Sequence, residues 1–359
     1  MENPLGLPFA AARTCAAVDL TGEASHPALA AAWRRSAKQL RAIGEALSAA
    51  NVDPSVACVV VSGSLGRMEE VAGSDCDLFV VVGSGDDEQR RRRAVESVWE
   101  ALAELCLERP DPKGVFALAA GMAELCDKQH RGRVDESPAT FGKRFQLLLD
   151  CQPVFGFAEY ERLLAGVLER YIDPNVGAAA PAWSHLLDDL LRYHRSLRVN
   201  YLWDFVEDGG KWRSQNLKGA FSRLVMFAAL VTLLGEGTCQ TNADDAGALA
   251  AWLSPRLRLT PLERLDLAYR AAEDGGFAIV AGEYEAFLAS MQDSAFRREL
   301  AIDDARGHVS PPGSPARAAG HAAYQEMATR GERLRAELTR FIAARGRAWD
   351  GRFASRLML

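Results

Sequence analysis

Apolar positions follow two different periods along the chain, and the change divides it. Near the start, residues 57–61 (ACVVV) and 76–82 (CDLFVVV) are apolar on both faces, the pattern of central strands covered by helices. Upstream, Leu29, Trp33, Leu40, Ile43 and Leu47 recur at helical spacing across residues 26–50, and Asn51-Val52-Asp53-Pro54 ends that helix. A turn over residues 83–87 leads into a helix over 88–108 that opens on acids. Residues 114–120 (GVFALAA) predict a third strand.

From Lys143 onward nearly every segment has helical period, with Pro or Gly between segments. Helices are expected over 144–149, 159–171, 183–205, 215–234, 244–253, 261–274 and 315–347, with a linker at 308–315. The fold class is α+β: a small mixed-sheet domain over residues 1–142, N-terminal helix included, then an all-helical domain over 143–359. The apolar run 221–235 is too short for the roughly 20 residues a bilayer crossing needs, and Arg223 interrupts it, so it reads as a buried helix.

Composition adds constraints. A chain of 359 residues suits two domains. Its 25% charged and 48% hydrophobic residues are an ordinary globular balance. A formal net charge of −6 argues against long nucleic acid as a partner. Seven dispersed Cys read as reduced thiols in a cytoplasmic protein, and no basic leader or membrane span is expected.

The chemistry concentrates between the two strands. Gly63 lacks a Cβ, so a phosphate can approach its backbone. Ser64 offers a hydroxyl and an N–H. Arg67 can reach a triphosphate or pair with a local acid, with Glu69 and Glu70 to brace it. Asp75 and Asp77, two residues apart at the lip of an apolar strand, repel unless a cation lies between them, and carboxylate oxygens suit Mg²⁺. In the helical domain Arg192, Arg195 and Arg198 share a helix face. Lys218 and Arg223 interrupt an apolar stretch where a charge needs a partner.

The run Gly63-Ser64-x-Gly66-Arg67-x-Glu69, followed by Ser74-Asp75-x-Asp77-Leu78, resembles the signature of the DNA-polymerase-β-like nucleotidyltransferases. Its Gly-Arg-x-Glu and Ser-Asp elements are similar to the branch of the PII-protein uridylyltransferases and related signalling nucleotidyltransferases. The segments Gly142-Lys143-Arg144, Leu147–Asp150, Asn216–Lys218 and Ser222-Arg223 resemble helical parts of members. The resemblance implies a short mixed sheet with flanking helices, then a helical domain. It implies that Gly63 and Ser64 hold the phosphates of an NTP substrate and that Asp75 and Asp77 bind Mg²⁺, with two ions clamping the attacking and leaving oxygens. The implied reaction passes a nucleoside monophosphate to the hydroxyl of a protein or small-molecule acceptor and releases pyrophosphate. Arg67, Arg195, Lys218 and Arg223 are the further candidates for nucleotide contact.

One departure stands out. Many members carry a third carboxylate on a later strand, and residues 114–120 hold none. Glu124, just beyond, is the candidate. Two rival readings follow: an NTP-binding regulator that has lost turnover, and an antibiotic-modifying adenylyltransferase.

Overall fold

The computed structural model describes residues 24–71, 76–83, 87–109, 116–129, 132–133, 136–172, 183–208, 212–304 and 315–357. Asp75 and nearly all of the 308–315 linker lie outside them. By compactness the described chain forms two units. The first takes Ala32–Leu186 and Gly237–Pro261; the second takes residues 24–31, Leu187–Glu236 and residues 262–357.

The first unit is built on a four-stranded mixed sheet in the order β3-β2-β1-β4. Strands β1 (Val56–Val61) and β2 (Leu78–Val82) are antiparallel, with Val61 opposite Leu78 and Val56 opposite Val82. All of β2 and nearly all of β1 is buried, as their two-faced apolar pattern requires. Strand β3 is only Ala120–Gly121, parallel to β2, with Gly121 opposite Val82. The strand expected over 114–120 is therefore displaced towards its C-terminal end. Strand β4 (Gln152–Phe155) runs antiparallel to β1, with Gln152 opposite Val61. It was not expected, because Pro153 cannot donate to a ladder. At the sheet edge, where one side has no partner strand, that loss is tolerated.

Helix α1 (Pro27–Ala49) buries the five residues that predicted it. The backbone of β4 passes so close that a Cβ on Gly44 would lie 3.1 Å from the Val154 carbonyl. Between β1 and β2 lies the single turn α2 (Gly63–Gly66), and after β2 comes α3 (Glu88–Ala101). Asp87 caps α3 by accepting from Gln89 N–H. Short helix α4 (Met122–Cys126) follows β3 directly. Helix α5 (Pro138–Leu149) leads into β4, and α6 (Phe157–Tyr171) follows it. The division expected between residues 142 and 143 falls inside α5, and the chain beyond it returns to the sheet.

Helices α4, α5 and α6 share a buried ionic cluster. Arg144 Nη1 lies 2.6 Å and Arg170 Nη2 3.0 Å from Glu136 Oε1, and Arg144 Nε donates to the Leu125 carbonyl. Both guanidinium groups are essentially fully buried. Burial, then the charge of Arg144, pulls the Arg170 guanidinium below its ordinary range, and Glu136 opposes this.

The second unit is helical and has an aromatic core. Phe221 stacks on Phe287 at 4.5 Å, and Tyr269 stacks on Phe341 at 3.6 Å and donates its hydroxyl to Glu337. The 215–234 helix is two helices, Trp212–Ala220 and Ser222–Gln240. The stretch Arg213–Gln240 has the length and apolarity to cross a membrane, and 67% of its apolar window is buried inside the protein. Helices Phe277–Gln292 and Ser294–Asp304 were not expected. The first is apolar nearly all round and gives little periodic signal. In helix Ser184–Asp208, His194 stacks on Phe227 at 4.2 Å. Burial, with repulsion from Arg198, Arg335 and Arg195, drops its imidazole to about 4.

Two stability predictions follow from these buried groups. Glu136→Gln removes the negative charge between two buried guanidinium groups and should cost about 3–5 kcal/mol in urea denaturation; a loss within experimental error would refute the ionic role. Because the folded chain keeps His194 neutral from about 4 up to the ordinary 6.5, the unfolded chain binds more protons there, and stability falls as pH drops through that window. His194→Gln should remove about 2 kcal/mol of that fall, after allowing for the group's partial exposure. The comparison is of urea midpoints near the two ends of the window, and equal acid sensitivity in both proteins would contradict it.

Candidate active site

One end of the sheet gathers the polar residues. The C-terminal end of β1, the start of β2 and the start of β4 are brought together by the registers that put Leu78 and Gln152 on either side of Val61. Three segments therefore converge there: the Ser62–Met68 turn, the Cys76-Asp77 approach to β2, and Asp150-Cys151 ahead of β4. Ser62 N–H donates to the Asp77 carbonyl at 2.9 Å, carrying the ladder one step past the strands. Leu78 N–H donates to the Cys76 carbonyl at 2.8 Å, a three-residue turn that sets the direction of Asp77.

Gly63 has φ +68°, a conformation open to glycine. A Cβ there would stand 2.1 Å from Asp77 Oδ2. The half-buried Asp77 carboxylate thus lies directly on the bare Cα of the turn. Gly66 is constrained by a different neighbour: its Cβ would meet the Asp150 carbonyl at 2.3 Å. The two glycines of Gly-x-x-Gly answer to two different acids.

The turn is held by Asp150, a residue that sequence reasoning did not assign to the site. Asp150 Oδ1 accepts from Ser62 Oγ at 2.8 Å, and Oδ2 accepts from Gly63 N–H at 3.1 Å and from Arg67 Nη1 at 2.8 Å. Arg67 Nε donates to Glu69 Oε2 at 2.8 Å. Arg67, a candidate for phosphate contact, is thereby committed to two buried carboxylates. Met68 is fully buried with φ 64°, a left-handed conformation costing about 1–2 kcal/mol for a residue with a side chain, which the surrounding turn must hold. The loop leaves along α1, where Glu70 N–H donates to Ser36 Oγ and Arg35 donates to the Glu70 carbonyl.

Behind the turn, Cys151 is fully buried, and its thiol is pushed far up, first by burial and then by the charges of Asp150 and Asp77. Ser64 is half-buried, and its hydroxyl has no partner among the described residues. Asp75 lies outside the described residues. Among the described residues, no three His, Cys, Asp or Glu side chains gather as a metal set. The oxygen donor in place is Asp77. Asp150 is already engaged by three N–H and O–H donors.

The structure moves Glu124 away from this end. Gly121 pairs with Val82, five residues along β2 from Asp77, which is about 16 Å at strand rise, and α4 continues beyond it. Glu124 sits 2.8 Å from Arg91 and accepts from Thr140 Oγ1. Burial raises its carboxyl, but Thr140 and Arg91 outweigh burial and leave it below its ordinary range. The expectation that Glu124 completes a triad with Asp75 and Asp77 is corrected on this geometry. Because β3 runs parallel to β2, away from Asp77, it leaves the acid that follows it at the opposite end of the sheet.

Arg195, Lys218 and Arg223 belong to the second unit. Arg195 and Lys218 are exposed. Arg223 donates to the Gln215 carbonyl and to Gln215 Oε1 at 2.7 Å, so the partner its position demands is local. A signal for Asp150 was present in the chain: like Asp77 one residue ahead of β2, it is an acid just ahead of a short strand, here two residues before Gln152. Pro153 obscured that strand.

Residues 15–122 match the family model described as Putative nucleotidyltransferase DUF294. The match spans under a third of the chain. It runs through α1, the Gly63 turn and β2 to the start of α4, and is consistent with membership of the nucleotidyltransferase superfamily. It supports nucleotidyl transfer as the general function. No curated protein matches the chain.

Asp150→Asn removes the charge that holds Arg67 while keeping the side chain's size. Amide hydrogen exchange over residues 63–69 should speed by about 100-fold, with exchange in β2 unchanged. Unaltered exchange in the turn would show that Asp150 does not hold it.

Proposed function

We propose that this chain is a Mg²⁺-dependent nucleotidyltransferase that moves a nucleoside monophosphate from an NTP to the hydroxyl of a protein or small-molecule acceptor, releasing pyrophosphate. The observation that carries the reading is the apposition of the Asp77 carboxylate to the bare Cα of Gly63 at the end of the sheet. A phosphate seated over a glycine and a cation held by the neighbouring acid would share that spot. Asp77, with Asp75, would hold the ion, which neutralises phosphate charge and orients the transferred group. The chain's own part is positioning. Asp150 and Arg67 keep the turn rigid, Gly63 leaves room for phosphate oxygens, and Ser64 presents an uncommitted hydroxyl to them.

A second reading is favoured by the place of Glu124. With that acid at the far end of β2 and Asp150 spent on the turn, the site would bind NTP without turning it over, and the chain would act as a nucleotide-responsive regulator. The two readings separate on one measurement. The protein is incubated with each NTP, Mg²⁺ and cell extract, and pyrophosphate is assayed alongside NTP binding. The enzyme reading expects release that falls by about 100-fold or more in Asp77→Ala. Tight NTP binding with no release under any acceptor supports the regulator, and release that survives Asp77→Ala removes both roles from this acid.

A further inference from the structure

The cavity beside β3 shares no residue with the Gly63–Asp77–Asp150 cluster. It encloses about 940 Å³ between α3, the start of α5 and residues 116–120. Its apolar wall includes Phe116 and the buried ring of Trp99, which Arg109 overlies at 5.6 Å. Its polar groups are mostly matched: Arg91 pairs with Glu124, Arg109 with Glu96, and Arg92 with Glu88 outside the cavity.

Lys143 is the exception. Its side chain is 5% exposed, and its one hydrogen bond goes to the Leu118 carbonyl at 2.7 Å. Two of the three ammonium donors have no partner among the described residues, and no carboxylate stands within ion-pair distance. A buried ammonium with a single neutral acceptor is costly unless an anion completes it. Burial accordingly pulls the amine down to about 8, with Glu124 opposing and Arg91 assisting.

We propose that this cavity is a binding site for a small ligand with an oxyanion head and an apolar or aromatic body, the head seated on Lys143 and the body against Trp99 and Phe116. The size, the aromatic wall and a buried cation with no ion pair among the described residues each select the same chemical class. A carboxylate and a phosphate ester both satisfy the ammonium, and a neutral ligand leaves it unmet. The site is independent of the nucleotidyl reading and stands or falls without it.

The test uses the full chain and lysine-directed reductive methylation read by mass spectrometry. Phenylacetate and phenyl phosphate supply the two head groups; phenylethanol supplies the body without the charge, and inorganic phosphate the charge without the body. The expected result is that at least one aryl anion slows methylation of Lys143 about tenfold while exposed Lys38 is unaffected, and that the two controls protect far less. The better protector identifies the head group. Tryptophan-fluorescence titration with that anion should then weaken about tenfold or more in Lys143→Met. Equal protection by phenylethanol, protection by neither anion, or a Lys143 that the reagent never reaches would each overturn the proposal. The labelling arm uses the unmutated protein, so it decides the matter even if Lys143→Met fails to fold.

Discussion

The buried carboxylate of Asp150 is the constraint on which the rest of the site depends. Three donors from one turn, Ser62 Oγ, Gly63 N–H and Arg67 Nη1, converge on it. Each would carry a desolvation cost of about 1–3 kcal/mol if left without a partner. The acid stands at the start of β4, so the turn after β1 is shaped by a strand some 90 residues later in the chain. Backbone contact makes that register unforgiving. A Cβ at Gly66 would strike the Asp150 carbonyl, and one at Gly156, where φ is +67°, would stand 2.1 Å from the Ala57 carbonyl. Pairing of β4 with β1 and the shape of the Gly63 turn are therefore geometrically coupled.

That arrangement divides labour among the carboxylates. Asp150 and Glu69 are consumed by Arg67 and the turn backbone, and they buy rigidity. Asp77 is half-buried, lies on the bare Cα of Gly63, and is the acid positioned to face a ligand. Glu124 serves the far end of β2, where it pairs with Arg91 on the wall of a separate cavity. The sheet thus presents different chemistry at its two ends. The direction of β3 causes this division: running parallel to β2, it carries the chain away from Asp77 and delivers Glu124 past Val82.

Much of the architecture was legible in the residues. The two-faced apolar runs of β1 and β2, the five buried positions of α1, and the Gly-x-x-Gly turn between strands are local statements, since each depends on the period or backbone freedom of neighbouring residues. The strand at 152–155 was not legible. Proline argues against a strand unless the strand is known to lie at an edge, and edge status is a property of the whole sheet. Likewise Arg67 reads equally well as a phosphate ligand or an ion-pair member until its neighbours in space are known.

By itself, then, the sequence determined the α+β class, the two central strands and the loop with Gly63 at one lip and Asp77 at the other, because apolar periodicity and a missing Cβ act within a few residues. Only the tertiary structure decided which acid holds the turn, which acid is turned away, and that Lys143 lies buried in a cavity with one backbone carbonyl as its hydrogen-bond partner among the described residues. Those outcomes rest on contacts between residues tens of positions apart, such as Asp150 with Ser62 and Glu124 with Arg91. A contact of that kind has no periodicity to betray it. It exists once strand register and helix packing have brought the partners within hydrogen-bond reach.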